Sequence, residues 1–311
     1  MKVGLYSITF LGVWYDGPAK TLSEFMQTAA RMGYDGVEFD GKRPHANPMD
    51  LSAAQRKEIV KEAADLGLEI AGVASNNDFA SPVPEHRESQ LLMVKEQCRL
   101  CGDLGGGVVR LFAAWPGVTL IHGVGSYEFA RAGWHAFDGC VTREERWNMV
   151  RDCLAEAADF AKEFGVTVAL QNHHPLVRHW KDMYDLVEEV NSPYLKCVLD
   201  VPMMVSQETD FVREAALTVG KRQSISHFGG EFRRGEDGKV FCKPVNWGGA
   251  QINYPAFVKA MKDIDYKGFV NFEYCHPALN EKHEHMGIDW VEMNAQLALE
   301  FMRDQIATYY K

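Results

Sequence analysis

The residues of this chain that could do chemistry sit where short apolar runs end. The stretch VTVALQNHHP, residues 166–175, is the plainest case. Its apolar run lies between Gly165 and Pro175 and has the profile of a strand buried on both faces. It then turns polar at once with Gln171, Asn172, His173 and His174. Strand alternation puts Gln171 and His173 on one face, Asn172 and His174 on the other. Three later runs end in the same manner: LKCVLD at Asp200, SISHF near His227 and GFVNFEY near Glu273. One amide oxygen, two carboxylates and one imidazole make a mixed oxygen and nitrogen donor set. Such a set suits one divalent cation, Mn2+ first and Mg2+ or Co2+ as alternatives, with positions left open for ligand oxygens. Gln171, Asp200, His227 and Glu273 are therefore the expected metal ligands. His173, with an ordinary pKa of about 6.5, suits a general base, and an orienting imidazole is the other reading. Glu273 would serve as both ligand and proton carrier. Glu38, Arg110 and Trp115, at or near the ends of earlier runs, are the expected substrate contacts.

Something must bring these run ends together. Strand-like patterns over 2–10, 36–40, 68–75, 107–115, 166–175, 195–200, 224–228 and 268–274 alternate with helical spacing over 21–32, 52–66, 85–104, 143–164, 180–190, 207–219, 254–264 and 289–310. Strict alternation of this kind argues for parallel βα units, and their count for a single (β/α)8 TIM barrel over residues 1–311. The barrel gathers the C-terminal ends of its strands at one mouth. Two long βα-loop insertions, 116–142 and 229–250, are rich in glycine and aromatic residues and read as loops over that mouth. An open doubly wound sheet is the competing architecture. It needs a glycine-rich phosphate turn after the first strand, and none is present.

Composition narrows the partners. The chain has 311 residues, is 46% hydrophobic and 24% charged, and carries a net charge of −10, which suits a globular protein and disfavours nucleic acid and anionic membrane as partners. No apolar segment approaches the length of a membrane span, and the N-terminus lacks the apolar core of a signal peptide. Seven scattered cysteines without a signal suggest reduced thiols and a cytoplasmic location. The Cys98 and Cys101 pair falls inside a helical pattern and reads as helix packing.

The motifs GYDGVEF, VALQNHH, KCVLD, SISHFGGEFRR and GFVNFE stand where the xylose isomerase-like barrels carry their strand signatures, and the chain resembles that family over nearly its whole length. The family includes sugar isomerases, ketose 3-epimerases, inosose dehydratases and apurinic endonucleases. The resemblance implies a divalent cation held by strands five to eight, and a sugar or glycoside as substrate. It also implies substrate binding by Arg233, six residues after His227. Two departures stand out. The epimerases carry a Glu where this chain has Gln171, and an uncharged amide carries no proton at neutral pH. They also carry a His where this chain has Met203.

The resemblance leads to three expectations. The favoured one is β-elimination from a 3-keto glycoside, a C- or O-glycoside lyase reaction, with His173 as the one base. Enzymes of that type are similar barrels that work with a small β-sheet partner subunit; a homo-oligomer is the other arrangement. Trp115, Trp134, Phe137 and Trp247 would stack the sugar or its aglycone. The alternative is isomerisation or epimerisation of a keto sugar, with Glu273 and His173 as the two proton carriers. The third is a sugar-binding barrel without catalysis.

Overall fold

The computed structural model describes residues 1–244 and 251–310. Among them, β1 (Lys2–Tyr6), β2 (Gly36–Asp40), β3 (Glu69–Ala74), β4 (Val108–Leu111), β5 (Thr167–Gln171), β6 (Leu195–Asp200), β7 (Gln223–Gly229) and β8 (Phe269–Glu273) pair in parallel and close into a barrel. Helices α1 (Leu22–Met32), α2 (Ala53–Asp65), α3 (Pro84–Asp103), α4 (Arg143–Glu163), α5 (Trp180–Val190), α6 (Thr209–Val219), α7 (Tyr254–Asp263) and α8 (Ile288–Tyr309) follow the strands in turn. This is the (β/α)8 fold expected from the alternation. Capping boxes start four of the helices. Thr21 with Glu24, Ser52 with Gln55, Thr142 with Glu145 and His179 with Asp182 each satisfy backbone N–H groups that the first turn leaves free.

The barrel interior is apolar at its base and polar at its mouth, for a reason written in the strands. Val108, Ala169, Val198, Ile225 and Phe269 pack together inside the barrel. Two residues further along the same strands stand Arg110, Gln171, Asp200, His227 and Asn271. A period of two keeps each pair on the inner face. The ladder shifts register between Val37 and Glu38 and again between Cys197 and Leu199. Both irregularities lie just before a buried acid, Glu38 or Asp200, where a bulge re-aims the side chain. The larger apolar core fills the layer between strands and helices and includes Cys98 and Cys101 of α3, both free thiols.

Several strands are shorter than the apolar runs suggested. β1 ends at Tyr6, and Ser7–Phe10 turns as a buried 3-10 segment. β4 ends at Leu111 rather than at 115, because the Asn77 side chain takes over the backbone of Phe112. Its amide donates to the Phe112 carbonyl at 2.6 Å and its oxygen accepts the Phe112 N–H at 3.1 Å. β5 ends at Gln171, where the His173 N–H turns back to the Gln171 carbonyl. The insertions also hold regular structure. The first contains a hairpin, Thr119–Ile121 with Val124–Ser126, and the helix Glu128–His135; the second contains the hairpin Phe232–Arg234 with Val240–Cys242. Trp247 lies outside the described residues. No helix among the described residues is long and apolar enough to cross a membrane.

One buried histidine makes the fold sensitive to acid. His45, in the loop after β2, has its Nε2 at 3.0 Å from the Lys20 carbonyl and its Nδ1 at 2.9 Å from Ser7 Oγ. The Lys20 carbonyl can only accept, so Nε2 carries a proton, and in the neutral ring the Ser7 hydroxyl, which also accepts the Asp40 N–H at 2.7 Å, donates to Nδ1. Burial pushes the His45 pKa down to about 4, against an ordinary 6.5. Between these values the unfolded chain binds the proton and the folded chain does not, so the contribution is complete above pH 6.5 and is lost as pH falls toward 4. Lowering the pH from 6.5 to 5 should cost about 2 kcal/mol through this residue. Denaturant unfolding of wild type and His45→Gln across that range checks it: the variant is less stable at neutral pH, and its stability falls less steeply with acid.

Candidate metal centre

Four neighbouring strands deliver the expected ligands to one place. Asp200 on β6, His227 on β7 and Glu273 on β8 each offer a ligand atom, and these atoms lie within 4.8 Å of one another. Gln171 on β5 joins them, its Nε2 donating to Asp200 Oδ2 at 2.5 Å. Three lone pairs in the group, Gln171 Oε1, Asp200 Oδ1 and His227 Nδ1, are buried with no hydrogen-bond partner among the described residues. Unpaired acceptors at such depth are costly unless something positive meets them. A divalent cation is the group this donor set fits.

The imidazole is prepared for that role from behind. His227 Nε2 lies 2.7 Å from Glu38 Oε2, with both side chains fully buried. The carboxylate accepts the Nε2 proton, so in the neutral ring Nδ1 is the lone pair, 3.8 Å from Glu273 Oε2. This is the carboxylate–histidine arrangement that raises the basicity of a ligating imidazole. Burial alone would lower the His227 pKa, and the Glu38 charge overrides it and raises it. The Asn271 amide donates to the same Glu38 oxygen at 2.6 Å. Gly4 makes room for that amide: a Cβ there would stand 2.0 Å from Asn271 Oδ1. The Tyr6 ring stacks parallel to His227 at 5.5 Å.

Asp200 is fixed by a residue that alternation had set on the outer face and left without a task. Asn172 Oδ1 accepts the Asp200 N–H at 2.6 Å, and its Nδ2 donates to the Asp200 carbonyl at 3.0 Å. Burial, together with the nearby Glu273 charge, pushes the Asp200 pKa up to about 7. Two carboxylates converging in a buried site repel, and a cation between them removes the penalty. With Asp200 ionised against a cation, Glu38, Asp200 and Glu273 would carry three negative charges, which Arg110 and one divalent cation would balance with His227 neutral.

The expected substrate contacts fare differently. Glu38 is 0% exposed and sits beneath His227, so it supports the ligand instead of meeting a substrate. Arg110 is 1% exposed; its guanidinium donates to Tyr6 Oη at 2.9 Å and to the Ser75 carbonyl at 3.2 Å, and lies 4.1 Å from the Phe112 ring centre. It is a buried counter-charge with no open face. Tyr6 in turn donates to Asp40 Oδ2 at 3.1 Å, and burial raises the Asp40 pKa to about 6. Trp115, 5% exposed, packs among Tyr127, His173 and His174 and forms wall rather than platform. Trp134 lies under the Arg146 guanidinium at 3.9 Å, and Phe137 is half-buried. Arg233 pairs with Glu231 and lies 4.4 Å from the Trp290 ring centre, so both its charge and its face are engaged.

His173 leaves the strand before alternation can place it. It sits half-buried at the mouth, its ring 4.7 Å from Phe112 and 4.9 Å from Trp115. Its Nδ1 donates to the His174 carbonyl at 2.5 Å, which makes Nε2 the acceptor of the neutral ring. Burial pushes its pKa down to about 3. Tyr6, Asn271, Tyr127 and Cys275 were not singled out from the sequence, and Asn172 was named there without a role. Asn271 had a signal, an amide inside the apolar run GFVNFEY.

A closed (β/α)8 barrel carries at three adjacent strand ends, Asp200, His227 and Glu273, a candidate site for one divalent cation. Comparison gives the family: residues 26–305 match the xylose isomerase-like TIM barrel, and the chain belongs to that family. An L-ribulose 3-epimerase of Methylomonas sp. (strain DH-1) is 24% identical over 282 residues, 88% of this chain and 84% of that protein. A fructoselysine 3-epimerase of Escherichia coli O157:H7 is 25% identical over 182 residues, 56% of this chain and 58% of its own length. Among solved structures, D-psicose 3-epimerase of Clostridium cellulolyticum H10 with D-tagatose superposes with a TM-score of 0.72 at 18% identity, covering 98% of this chain and 99% of that one. The 3-keto-D-glucoside 4-epimerase of E. coli gives 0.67 at 17% identity, over 96% and 99%.

Replacing ligand and support should separate their roles. His227→Ala should abolish Mn2+ binding, and Glu38→Gln, which keeps the shape and removes the charge, should weaken it by roughly 10-fold to 100-fold. Calorimetric titration of the metal-free proteins measures both.

Proposed function

We propose that this protein is a divalent-metal-dependent enzyme that moves a proton at the carbon beside a keto-sugar carbonyl, in the isomerase and epimerase manner of the proteins it is similar to. One observation carries the reading: ligand atoms of Asp200, His227 and Glu273 lie within 4.8 Å of one another at three adjacent strand ends, with Asp200 Oδ1 and His227 Nδ1 buried and unpartnered among the described residues. The sugar 3-epimerase relatives support carbohydrate as the substrate class. A bound divalent ion supplies Lewis acidity toward a substrate carbonyl.

The remaining chemistry belongs to side chains. The Gln171 amide cannot carry a proton, Glu38 is tied to His227 and Asn271, and Asp200 Oδ2 is taken by the Gln171 amide. Glu273 keeps partial exposure and is assigned as one proton carrier. His173 is assigned as the other. Its Nε2 is the acceptor of the neutral ring, because Nδ1 donates to the His174 carbonyl. Inversion at a carbon requires two carriers: one removes the proton from one face and the other delivers a proton to the opposite face. Mn2+ is the proposed cation.

A second reading rests on Gln171 itself. An amide where the epimerases carry an acid leaves a site able to run with one base. That suits β-elimination from a 3-keto glycoside: His173 takes the proton at C2, the C1 bond to the aglycone breaks with its electron pair, and a C1–C2 double bond remains.

Incubating the Mn2+-loaded protein in deuterated water with D-psicose, L-ribulose and a nitrophenyl 3-keto-glucoside tests both readings. Deuterium should enter beside the carbonyl, with the epimer appearing. Chelation should stop exchange, and His173→Phe should slow it by about 100-fold or more. Release of nitrophenol without epimer would select elimination. Absence of exchange and of release across the panel would overturn the proposal.

A further inference from the structure

The residue that follows the site on β8 is tied to the first insertion. Tyr127 stands between that insertion's hairpin and its helix Glu128–His135. Its ring packs against Trp14 at 5.1 Å and Trp115 at 5.3 Å, and its hydroxyl donates to the Cys275 carbonyl at 3.1 Å. The hairpin is anchored beside it, where the Gly125 N–H donates to the Val13 carbonyl at 2.9 Å. Cys275 in turn places its Sγ 3.6 Å from Glu273 Oε1. The two Glu273 oxygens are thereby distinguished: Oε1 meets a thiol, and Oε2 faces His227 Nδ1 at 3.8 Å. A thiol is a weak donor, and among the described residues it is the side-chain hydrogen-bond donor to this carboxylate.

We propose that Tyr127 and Cys275 form a positioning latch: the Tyr127 hydroxyl fixes the Cys275 main chain, and the Cys275 thiol holds Glu273 with Oε2 turned toward the cation. The latch rests on the reading of Glu273 as a metal ligand. It makes the insertion part of the site's preorganisation, because the same Tyr127 ring that reaches β8 also supports Trp115, which packs on His173. Both assigned proton carriers are then steadied from one side chain. Neither Tyr127 nor Cys275 touches the reacting atoms in this scheme, so both are positioning residues.

Metal affinity reads the latch without any substrate. Mn2+ binding is followed by electron paramagnetic resonance of the free ion, and the Co2+-loaded proteins are compared by visible absorption. Cys275→Ala should weaken Mn2+ binding by roughly tenfold and alter the Co2+ bands, as the loss of a group supporting a ligand does. Cys275→Ser, which restores a donor, should recover most of the loss. Tyr127→Phe removes one oxygen from a retained ring and should move affinity in the same direction by less, which keeps the test open if Cys275→Ala folds poorly. Wild-type affinity in Cys275→Ala and Tyr127→Phe, beside a large loss in Glu273→Gln, would overturn the latch and leave the ligand set standing. Unchanged affinity in Glu273→Gln would overturn both. A sulfur-to-Co2+ charge-transfer band in the wild-type protein would make Cys275 a ligand and likewise overturn the latch.

Discussion

The hydrogen bond between Glu38 and His227 is the contact on which the rest of the mouth depends. It is a hydrogen bond to a charged carboxylate with both side chains fully buried. Such pairs add little net stability, because desolvation offsets attraction, but losing one partner is expensive. Its value here is orientation. It decides which imidazole nitrogen carries the proton, and so which one faces Glu273. Asn271, Gly4 and Tyr6 serve that bond: an amide that shares the carboxylate oxygen, a missing side chain that admits the amide, and a ring that stacks on the imidazole. Arg110 supplies the balancing charge and is itself held by Tyr6.

Much of this was legible in the sequence, and the reason is periodicity. A strand that is apolar at one inward position and polar at the next declares both its face and its end. Ala169 with Gln171, Val198 with Asp200 and Ile225 with His227 all follow this form. The barrel, the order of its elements and the meeting of four strand ends follow from local pattern together with the rule that parallel strands gather their C-terminal ends on one side.

What was not legible depends on where strands stop and on who reaches across. His173 was placed by an alternation that had already ended at Gln171, because a turn replaces the ladder there. Glu38 and Arg110 looked like mouth residues from their positions in the runs, yet each is consumed by a partner far away in sequence. Arg233 differs: its ion-pair partner Glu231 is two residues away, and only the Trp290 ring reaches it from far along the chain. Pairwise satisfaction of buried polar groups is a property of the whole fold, and no local window contains it. The supporting amides Asn172 and Asn271 were overlooked because an amide in a strand end has many uses, and only coordinates choose among them.

Glu38 belongs to β2 and His227 to β7, and these strands are not neighbours. Between them lie β8 and β1, the last and first staves of the ring, where Gly4 pairs with Asn271 and Asn271 with His227. The bond is thus a chord drawn over the seam where the two ends of the chain are sewn together. Gly4 is the low point that lets the chord pass. Anything that grips His227 from the solvent side also pulls on that stitch, so filling the mouth and keeping the hoop shut become one thermodynamic event.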